Sequence, residues 1–403
     1  MVNVKKDFKL LISLIIWMLI PSIYLLIRMN IVSVNDVDIN ILGQMEWFDL
    51  IDEVITTMLI VPLYSLLSKE KSKYRNGIAF LTSFIVYLFF TFIIVFHITR
   101  ITRFMNAEYA KGYLLLQTIS LIFSFVLTFI VLLLTINSDH KTVWILIIVR
   151  VVMLSICDYV FIGRFKDIGA AYSEIIVNIL LSIFSICLIV KKGYIGLKRS
   201  KLSFFSEWFQ IGRFAGIQIF LDNFIYAIMI VKMVNAVNEA GNYWVANNFI
   251  WGWLLVPVIC FSELIKKNNL PSISFKNTWK YGFVIVGIWI ITIPFWSGFI
   301  NNAMAVDSNK IMPIVIMSMP FYLTYIVSAF IDAWFISKGK TIYNMFISVI
   351  VNVIYYGIIY ILFKNGIFTM NMNFIIYMFG GGMVVHMMLS IIIYLIEIKR
   401  VSL

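Results

Sequence analysis

Apolar blocks of about twenty residues recur along the 403 residues of this sequence, separated by short polar loops. A helix rises about 1.5 Å per residue, so each block is long enough to cross the ~30 Å hydrocarbon core of a bilayer. Hydrophobic residues make up 62% of the chain and charged residues 13%, which is more apolar surface than a soluble core could bury. The pattern predicts an all-α integral membrane protein.

Twelve blocks qualify as transmembrane helices. They lack the alternation of barrel strands, and backbone groups in lipid must be paired within their own segment, so helices are expected. The predicted spans are 10–27, 47–67, 77–96, 112–135, 143–163, 168–190, 208–231, 243–264, 279–300, 311–335, 341–363 and 373–397.

Basic residues are distributed unevenly over the loops. The N-terminus, the alternate loops and the C-terminus carry 21 of the 32 lysines and arginines, the intervening loops carry 9, and two lie inside spans. By the positive-inside rule both termini are expected in the cytoplasm, with the protein in the plasma membrane. This topology accounts for the net charge of +12, so no nucleic-acid partner is expected.

The most basic loop, 191–207, falls between the sixth and seventh spans. It divides the chain into predicted N- and C-terminal six-helix bundles, residues 1–200 and 201–403. The stretches MLIVP (58–62) and WLLVP (253–257) lie in the second helix of each half. The sequence therefore predicts two pseudo-symmetric bundles that are parallel repeats.

Five acids lie within four of the predicted spans: Asp52 and Glu53 in the second, Asp158 in the fifth, Glu174 in the sixth and Asp222 in the seventh. With cytoplasmic termini, all five reach a similar depth in the outer half of the membrane. A charge at bilayer depth costs about 2.5 kcal/mol or more, so such groups generally face a water-filled cavity. We predict an acidic cavity that binds cations, in which Asp222 is the leading candidate.

Other roles stay open for several of the charged residues in and near the spans. Asp49 suits the favourable dipole at a helix N-terminus, Asp158 could pair with Arg164, and Glu174 could be solvated at the cavity mouth. Arg150 lies near the middle of the fifth span, where a buried guanidinium needs a carboxylate or an anionic ligand. Its expected partner is one of the acids of the second span or a lipid phosphate.

Charges nearer the cytoplasm have simpler expected roles. Arg213, Glu263 and Asp332 fit snorkelling or gate ion pairs, and His386 fits a packed or hydrogen-bonded helix residue. Hinges are expected at Pro21, Pro62, Pro257, Pro294, Pro313, Pro320 and the glycines 380–382.

No catalytic or metal-binding motif is present. Cys157, Cys187 and Cys260 lie in apolar blocks without CxxC spacing, so buried free thiols are expected rather than disulfides or a metal site. We expect that the protein is not an enzyme and has no cofactor apart from a coupling ion.

CDYVFIGRFKDIGAAYSEIIVNIL (157–180) resembles the junction of the fifth and sixth helices in the multidrug and toxic compound extrusion (MATE) transporters. In that family an Asp or Asn precedes an apolar stretch and Gly-Ala-Ala opens the next helix. The segment 211–235 is similar to the start of the family's second half, with Asp222 where many members carry a cation-binding acid. The stretches 242–257 and 335–341 are similar to the eighth helix and to the turn after the tenth.

The resemblance implies a monomeric antiporter that exchanges Na⁺ or H⁺ for an amphipathic, cationic small molecule. Four departures accompany it: the first span carries no acid, Asp332 lies nearer the cytoplasm than the family's second cation site, the seventh span begins with IGRF rather than Gly-x-Pro, and 403 residues is short for the family. The alternative on the same fold is a flippase for lipid-linked oligosaccharide or another anionic lipid, in which Arg150 and Arg213 would bind phosphate. A membrane-embedded transferase is disfavoured because no histidine lies level with the acids.

Overall fold

This computed structural model describes residues 4–69, 72–196, 205–268, 275–338 and 340–402. Within these ranges the chain forms helices joined by short loops and contains no strand. The principal helices are α1 (Val4–Val34), α2 (Met45–Lys69), α3 (Lys73–Phe104), α4 (Lys111–Ile136), α5 (His140–Lys191), α6 (Phe205–Tyr226), α7 (Ala240–Phe249), α8 (Val256–Asn268), α9 (Phe275–Asn302), α10 (Ser308–Ser337), α11 (Thr341–Val349), α12 (Tyr356–Lys364) and α13 (Met372–Ser402).

Each of the twelve predicted spans falls on a helix, which confirms the all-α membrane fold class. By length and apolarity, nine helices in the described ranges can cross a membrane, or up to ten if the bent pair Ala240–Leu254 and Val256–Lys266 is one span. The count is below twelve partly because α5, at 52 residues, holds the fifth and sixth spans together. Its two limbs meet at a kink at Lys166, with φ 57° and ψ −130°.

Three π-helical segments interrupt the helices in the described part of the chain. Ala227–Val231 follows α6, Ile250–Leu254 joins α7 to α8, and Ile350–Tyr355 joins α11 to α12. A π segment leaves backbone groups out of the regular ladder and is frequent at functional sites. The predicted hinge at Pro257 follows the second segment, where the axis bends by 52°.

The glycines 380–382 do not interrupt their helix, because α13 runs continuously from Met372 to Ser402. Aromatic side chains lie against them instead. A Cβ at Gly380 would lie 2.1 Å from the Phe321 ring, and one at Gly381 would lie 2.2 Å from the Tyr355 hydroxyl. These glycines therefore let aromatic rings pack directly against the helix backbone. The hinge expected at residues 380–382 is instead a packing surface.

The three cysteines are free, as expected, but only Cys260 is buried. Cys187 is exposed and Cys157 half-buried, so the expectation of three buried thiols was wrong for these two. Both lie on α5.

The helices form two compact units. One comprises Ile31–Asn235 and contains α2 to α6. In this unit α6 packs against α2 through Gly212 and Gly216, since a Cβ at Gly212 would lie 2.5 Å from the carbonyl oxygen of Met58. Pro62, one turn later, has no N–H to donate to the Met58 carbonyl. The Gly212 backbone can therefore approach this carbonyl closely. Small residues four apart are a common device for close helix packing in membranes.

The other unit comprises Met1–Asn30 and Ala236–Leu403. Here α1 packs against the π segment that joins α7 to α8, because the Ser22 hydroxyl donates a 2.8 Å hydrogen bond to the Gly252 carbonyl. In both units, the helix that begins one predicted half thus packs on the second span of the other half. The predicted bundles 1–200 and 201–403, which describe a repeat in the sequence, stay a prediction.

Candidate acidic site

Four carboxylates lie on the first nine residues of α2, about two and a half turns: Glu46, Asp49, Asp52 and Glu53. Spacings of three and four residues place Glu46, Asp49 and Glu53 on one face of the helix, with Asp52 beside them. The N-terminal end of a helix favours negative charge, so this part of α2 tolerates a density of acid that a mid-membrane turn would not.

Asp52 lies in a polar pocket between α2, α3 and α4. Its Oδ1 accepts a short hydrogen bond from the Tyr87 hydroxyl, and its Oδ2 lies 3.5 Å from the Thr56 hydroxyl. Tyr87 is buried and stacks on Phe125, with ring centroids 4.2 Å apart. This stacking fixes the phenol, so the hydrogen bond holds Asp52 in one position.

A cavity of about 10 Å³ adjoins the Asp52 carboxylate. Tyr87, Thr91 and Thr118 line it together with apolar side chains. This volume is close to the smallest that holds one water molecule. Carboxylate and hydroxyl oxygens are the ligands that hard cations prefer, so the pocket has the size and chemistry for a proton carrier or one small desolvated cation.

The end of α6 is tied to the acids of α2. Asn223 donates hydrogen bonds to Oε2 of Glu53 at 2.9 Å and to the Leu50 carbonyl at 3.0 Å. One turn later the Tyr226 hydroxyl donates to Oε1 of Glu46 at 3.0 Å. Asn223 and Tyr226 thus connect the end of α6 to the acids of α2, and the neighbouring Asp222 is half-buried.

Glu174, on the second limb of α5, belongs to the same cluster. Its carboxyl group lies close enough to the Asp49 carboxyl to repel it, as do the carboxyl groups of Asp52, Glu46 and Glu53. Asp158 is fully buried on the first limb of α5. Of the five predicted acids, the structure thus brings Asp52, Glu53 and Glu174 together around Asp49.

Basic groups contribute little to this cluster. No ion pair within the described ranges involves Asp49, Asp52 or Glu53. Arg150 forms neither of its expected pairings with Asp52 or Glu53 there, and its Nε is buried without a hydrogen-bond partner. The side chain of Arg213 lies outside the described part of the chain. Asp49, Asp52 and Glu53 therefore carry negative charge that no described base neutralises when their carboxyls are ionised.

The other unit contains a smaller polar group. His386 Nε2 lies 2.8 Å from Oδ2 of Asp332, and the Ser390 hydroxyl donates to Oδ1 of Asp332 at 3.1 Å. Glu263 pairs with Lys266 at 2.6 Å, as expected for a charge near a helix end. These contacts agree with a hydrogen-bonded His386.

Sequence reasoning missed three features of the site. Tyr87 and Asn223 are ordinary residues of apolar spans, and nothing in their spacing marks them as partners of acids. The glycine pair at 212 and 216 could have been found, because the small-x-x-x-small pattern is readable in IGRFAG. That pattern would have predicted close packing of the seventh span.

No protein-family model and no curated protein matches the sequence. Solved structures match the fold over nearly the whole chain. An inward-facing multidrug resistance MATE family transporter of the MOP superfamily gives a TM-score of 0.75 at 14% identity, covering 94% of both chains. The MATE transporter VcmN of Vibrio cholerae in the bent form gives 0.65 at 14% identity, covering 98% of this chain and 97% of VcmN.

A MOP superfamily transporter from Pyrococcus furiosus, described as having a binding pocket of reverse polarity that suggests a different function, gives a TM-score of 0.64 at 15% identity. The match covers 98% of this chain and 96% of the Pyrococcus furiosus transporter. These likenesses show the class of fold: the chain folds like the transporters of the MOP superfamily. Within that class its fold is that of the MATE family, as the motifs in the sequence indicated.

Proposed function

We propose that the chain is a cation-coupled antiporter that exports amphipathic, cationic small molecules across the plasma membrane by alternating access. The observation that carries this proposal is the carboxylate cluster around Asp49, in which Asp49, Asp52 and Glu53 form no ion pair with a described base. A surplus of negative charge at membrane depth attracts cations and repels anionic substrates. The protein works as a monomer in this proposal.

Asp52 is the site for the coupling ion, H⁺ or Na⁺. A proton neutralises the carboxylate directly, whereas Na⁺ takes oxygen ligands from Asp52, Tyr87 and the threonine hydroxyls of the adjoining cavity. Glu53, Glu174 and Asp49 supply the field that attracts the organic cation. Asp158 and Asp222 are further members of the proposed path.

Coupling follows from the contacts between α6 and α2. Asn223 and Tyr226 donate to the ionised acids Glu53 and Glu46, and hydrogen bonds to charged acceptors are about twice as strong as neutral ones. A cation bound among the carboxylates competes with these donors and loosens the end of α6, next to the π segment Ala227–Val231. Ion and substrate then favour different positions of α6, which is the linkage that antiport requires.

Gradient-driven efflux of a fluorescent cationic dye from proteoliposomes tests the proposal. Asp52→Asn is expected to reduce efflux at least tenfold under both a pH gradient and a Na⁺ gradient, because the neutral amide cannot release or bind a cation. The matched control is Asp307→Asn, since Asp307 only caps α10 and asparagine also caps helices. Efflux by Asp52→Asn at the control rate would remove this site from the mechanism.

The flippase for lipid-linked oligosaccharide or another anionic lipid is the second candidate. Its supporting observation is the buried Nε of Arg150, which has no hydrogen-bond partner among the described residues and suits an anionic ligand. A flippase requires that the wild-type protein translocates a labelled lipid-linked sugar, that Arg150→Ala fails to do so, and that no dye is transported by either. Dye efflux by the wild type would exclude this candidate.

A further inference from the structure

An apolar groove of about 520 Å³ runs between α2, α3 and α6, within the unit Ile31–Asn235. Each helix contributes one stripe of side chains at spacings of three and four residues, so the three stripes face each other along the groove. Representative lining residues are Leu50 and Val54 of α2, Ile94 and Ile101 of α3, and Phe220 and Phe224 of α6.

The groove has the dimensions of a lipid chain. Its lining on α3 runs from Phe90 to Phe104, which is about 21 Å at helical rise. One leaflet of the hydrocarbon core is about 15 Å thick. Phe104, Phe220 and Phe224 remain about half exposed, at 50%, 51% and 47%, so the groove is open along one side.

The lining is almost wholly apolar. Its polar members are Asn223, whose amide is already bonded to Glu53 and Leu50, and two basic residues of α3, His97 and Arg100. A water-filled path for a cation would need more polar groups than this. None of the described residues that line the groove carries a carboxylate, so its chemistry is unlike that of the acidic cluster and does not suit a cationic ligand.

The basic residues lie at the end of the groove where α3 leaves the membrane. Arg103, one turn further on, pairs with Glu108 at 2.8 Å, whereas Arg100 is exposed and forms no ion pair or hydrogen bond with the described residues. The Lys232 ammonium lies 3.5 Å from the centroid of the Phe104 ring at the same end. Arginine at an interface binds phosphate through paired hydrogen bonds, and the predicted span 77–96 ends just before Arg100, so we expect the lipid phosphates at this level.

We propose that this groove binds an anionic phospholipid of the surrounding bilayer, with one acyl chain along the three stripes and the phosphate on Arg100 beside His97. With cytoplasmic termini, the lipid belongs to the outer leaflet. The bound chain fills the space between α6 and α3 and supports the position from which Asn223 bonds Glu53. The inference is separate from the coupling ion and from the exported molecule.

Quenching of tryptophan fluorescence by brominated acyl chains tests this site, because Trp47 lines the groove. The purified protein is placed in phosphatidylcholine nanodiscs in which phosphatidylglycerol with brominated chains replaces the host lipid stepwise. Saturable quenching at low mole fraction is expected for the wild type, and Trp47→Phe should remove that component. Brominated phosphatidylcholine should quench only in proportion to its mole fraction.

Arg100→Gln is expected to require on the order of tenfold more brominated phosphatidylglycerol, as for the loss of a charge-assisted hydrogen bond. The matched control Arg103→Gln, which loses a neighbouring charge already paired with Glu108, should behave like the wild type. Mass spectrometry of phosphatidylglycerol retained through detergent exchange repeats the comparison without Trp47. Equal quenching by both headgroups, equal effects of the two arginine variants, or displacement of the brominated lipid by a cationic dye would overturn the proposal.

Discussion

The position of the Asp52 carboxylate depends on a hydrogen bond from Tyr87, which lies 35 residues further along the chain. An acid among apolar residues is conspicuous in a sequence, so Asp52 and its neighbour Glu53 could be named as candidates for a site. Tyr87 could not, because it is one of 20 tyrosines and its role is set by how α3 packs on α2. Sequence reasoning at the residue scale thus finds charges well and finds their neutral partners badly.

Asp139 gives a pH-dependent prediction outside the membrane. It caps α5 by accepting a hydrogen bond from the Thr142 backbone, and it pairs with Lys192. The hydrogen bond from Lys192 lowers the pKa of Asp139 below its ordinary value. The ionised carboxylate therefore stabilises the fold above its unfolded pKa, near 4, and this stabilisation is lost as the pH falls through the lowered folded value.

Asp139→Asn should keep the cap and lose the charge, so its melting temperature in detergent should fall less between pH 7 and pH 3 than that of the wild type. At pH 7 the free energy of unfolding of Asp139→Asn should be lower than that of the wild type by about 1 kcal/mol or less, because the ion pair is partly solvated. Asp139→Ala loses the cap as well and should melt lower than Asp139→Asn at every pH. Parallel pH profiles for wild type and Asp139→Asn would contradict the role of the ion pair.

At the scale of elements, hydropathy located every span but not the breaks within them. Residues 164–167 were predicted as the connection between two spans, and the backbone leaves helical geometry there, at Lys166, where the two limbs of α5 meet. The kink folds the second limb against the first, and the small residues Gly169, Ala170 and Ala171 are fully buried where the limbs cross. The π segments were likewise not predictable, since they depend on backbone hydrogen bonds and not on apolar periodicity.

Gly169 is the residue that this crossing needs most. A Cβ there would lie 2.2 Å from the carbonyl oxygen of Phe161, which is fixed backbone and cannot move aside. Gly169→Ala is expected to destabilise the protein by at least about 2 kcal/mol, in the range of overpacked cores. The loss is measured as a lower melting temperature and a smaller monodisperse fraction on size exclusion in detergent.

Gly163→Ala on the same helix is the matched control. A Cβ at this position meets only the Asn35 side chain, at an ordinary distance of 3.6 Å. Alanine favours the helix by up to about 1 kcal/mol, so this variant should be neutral or slightly stabilised. Equal behaviour of the two alanine variants would show that the limbs do not cross at Gly169 as described.

At the scale of the whole molecule, the membrane fold could be predicted because lipid leaves so few alternatives. A block of twenty apolar residues in a bilayer must be helical, and each of the twelve predicted spans falls on a helix. The partners of those helices could not be predicted, since hydropathy does not say which helix packs on which. That is why the grouping of α1 with α7 to α13, and of α6 with α2, appears only in the structure.

The predicted orientation can be tested with single cysteines in a background that lacks the three native thiols. His140 and Asn302 are both exposed and lie at helix ends on opposite predicted sides. On intact cells, a membrane-impermeant maleimide should label Asn302→Cys and not His140→Cys, and both should react after lysis. The reverse pattern would place the termini outside and move the acidic cluster to the cytoplasmic half.

The placement of α1 and α6 has a consequence for what would happen if the chain were cut between its two halves. A cut between residues 196 and 205 would leave two pieces, each carrying one helix whose packing partners lie on the other piece. Neither piece could form a complete helix bundle by itself. The two pieces would have to be expressed together, and helix packing would then hold them together without a peptide bond. A gene for one half alone would specify a subunit that is finished only by exchanging a helix with a companion.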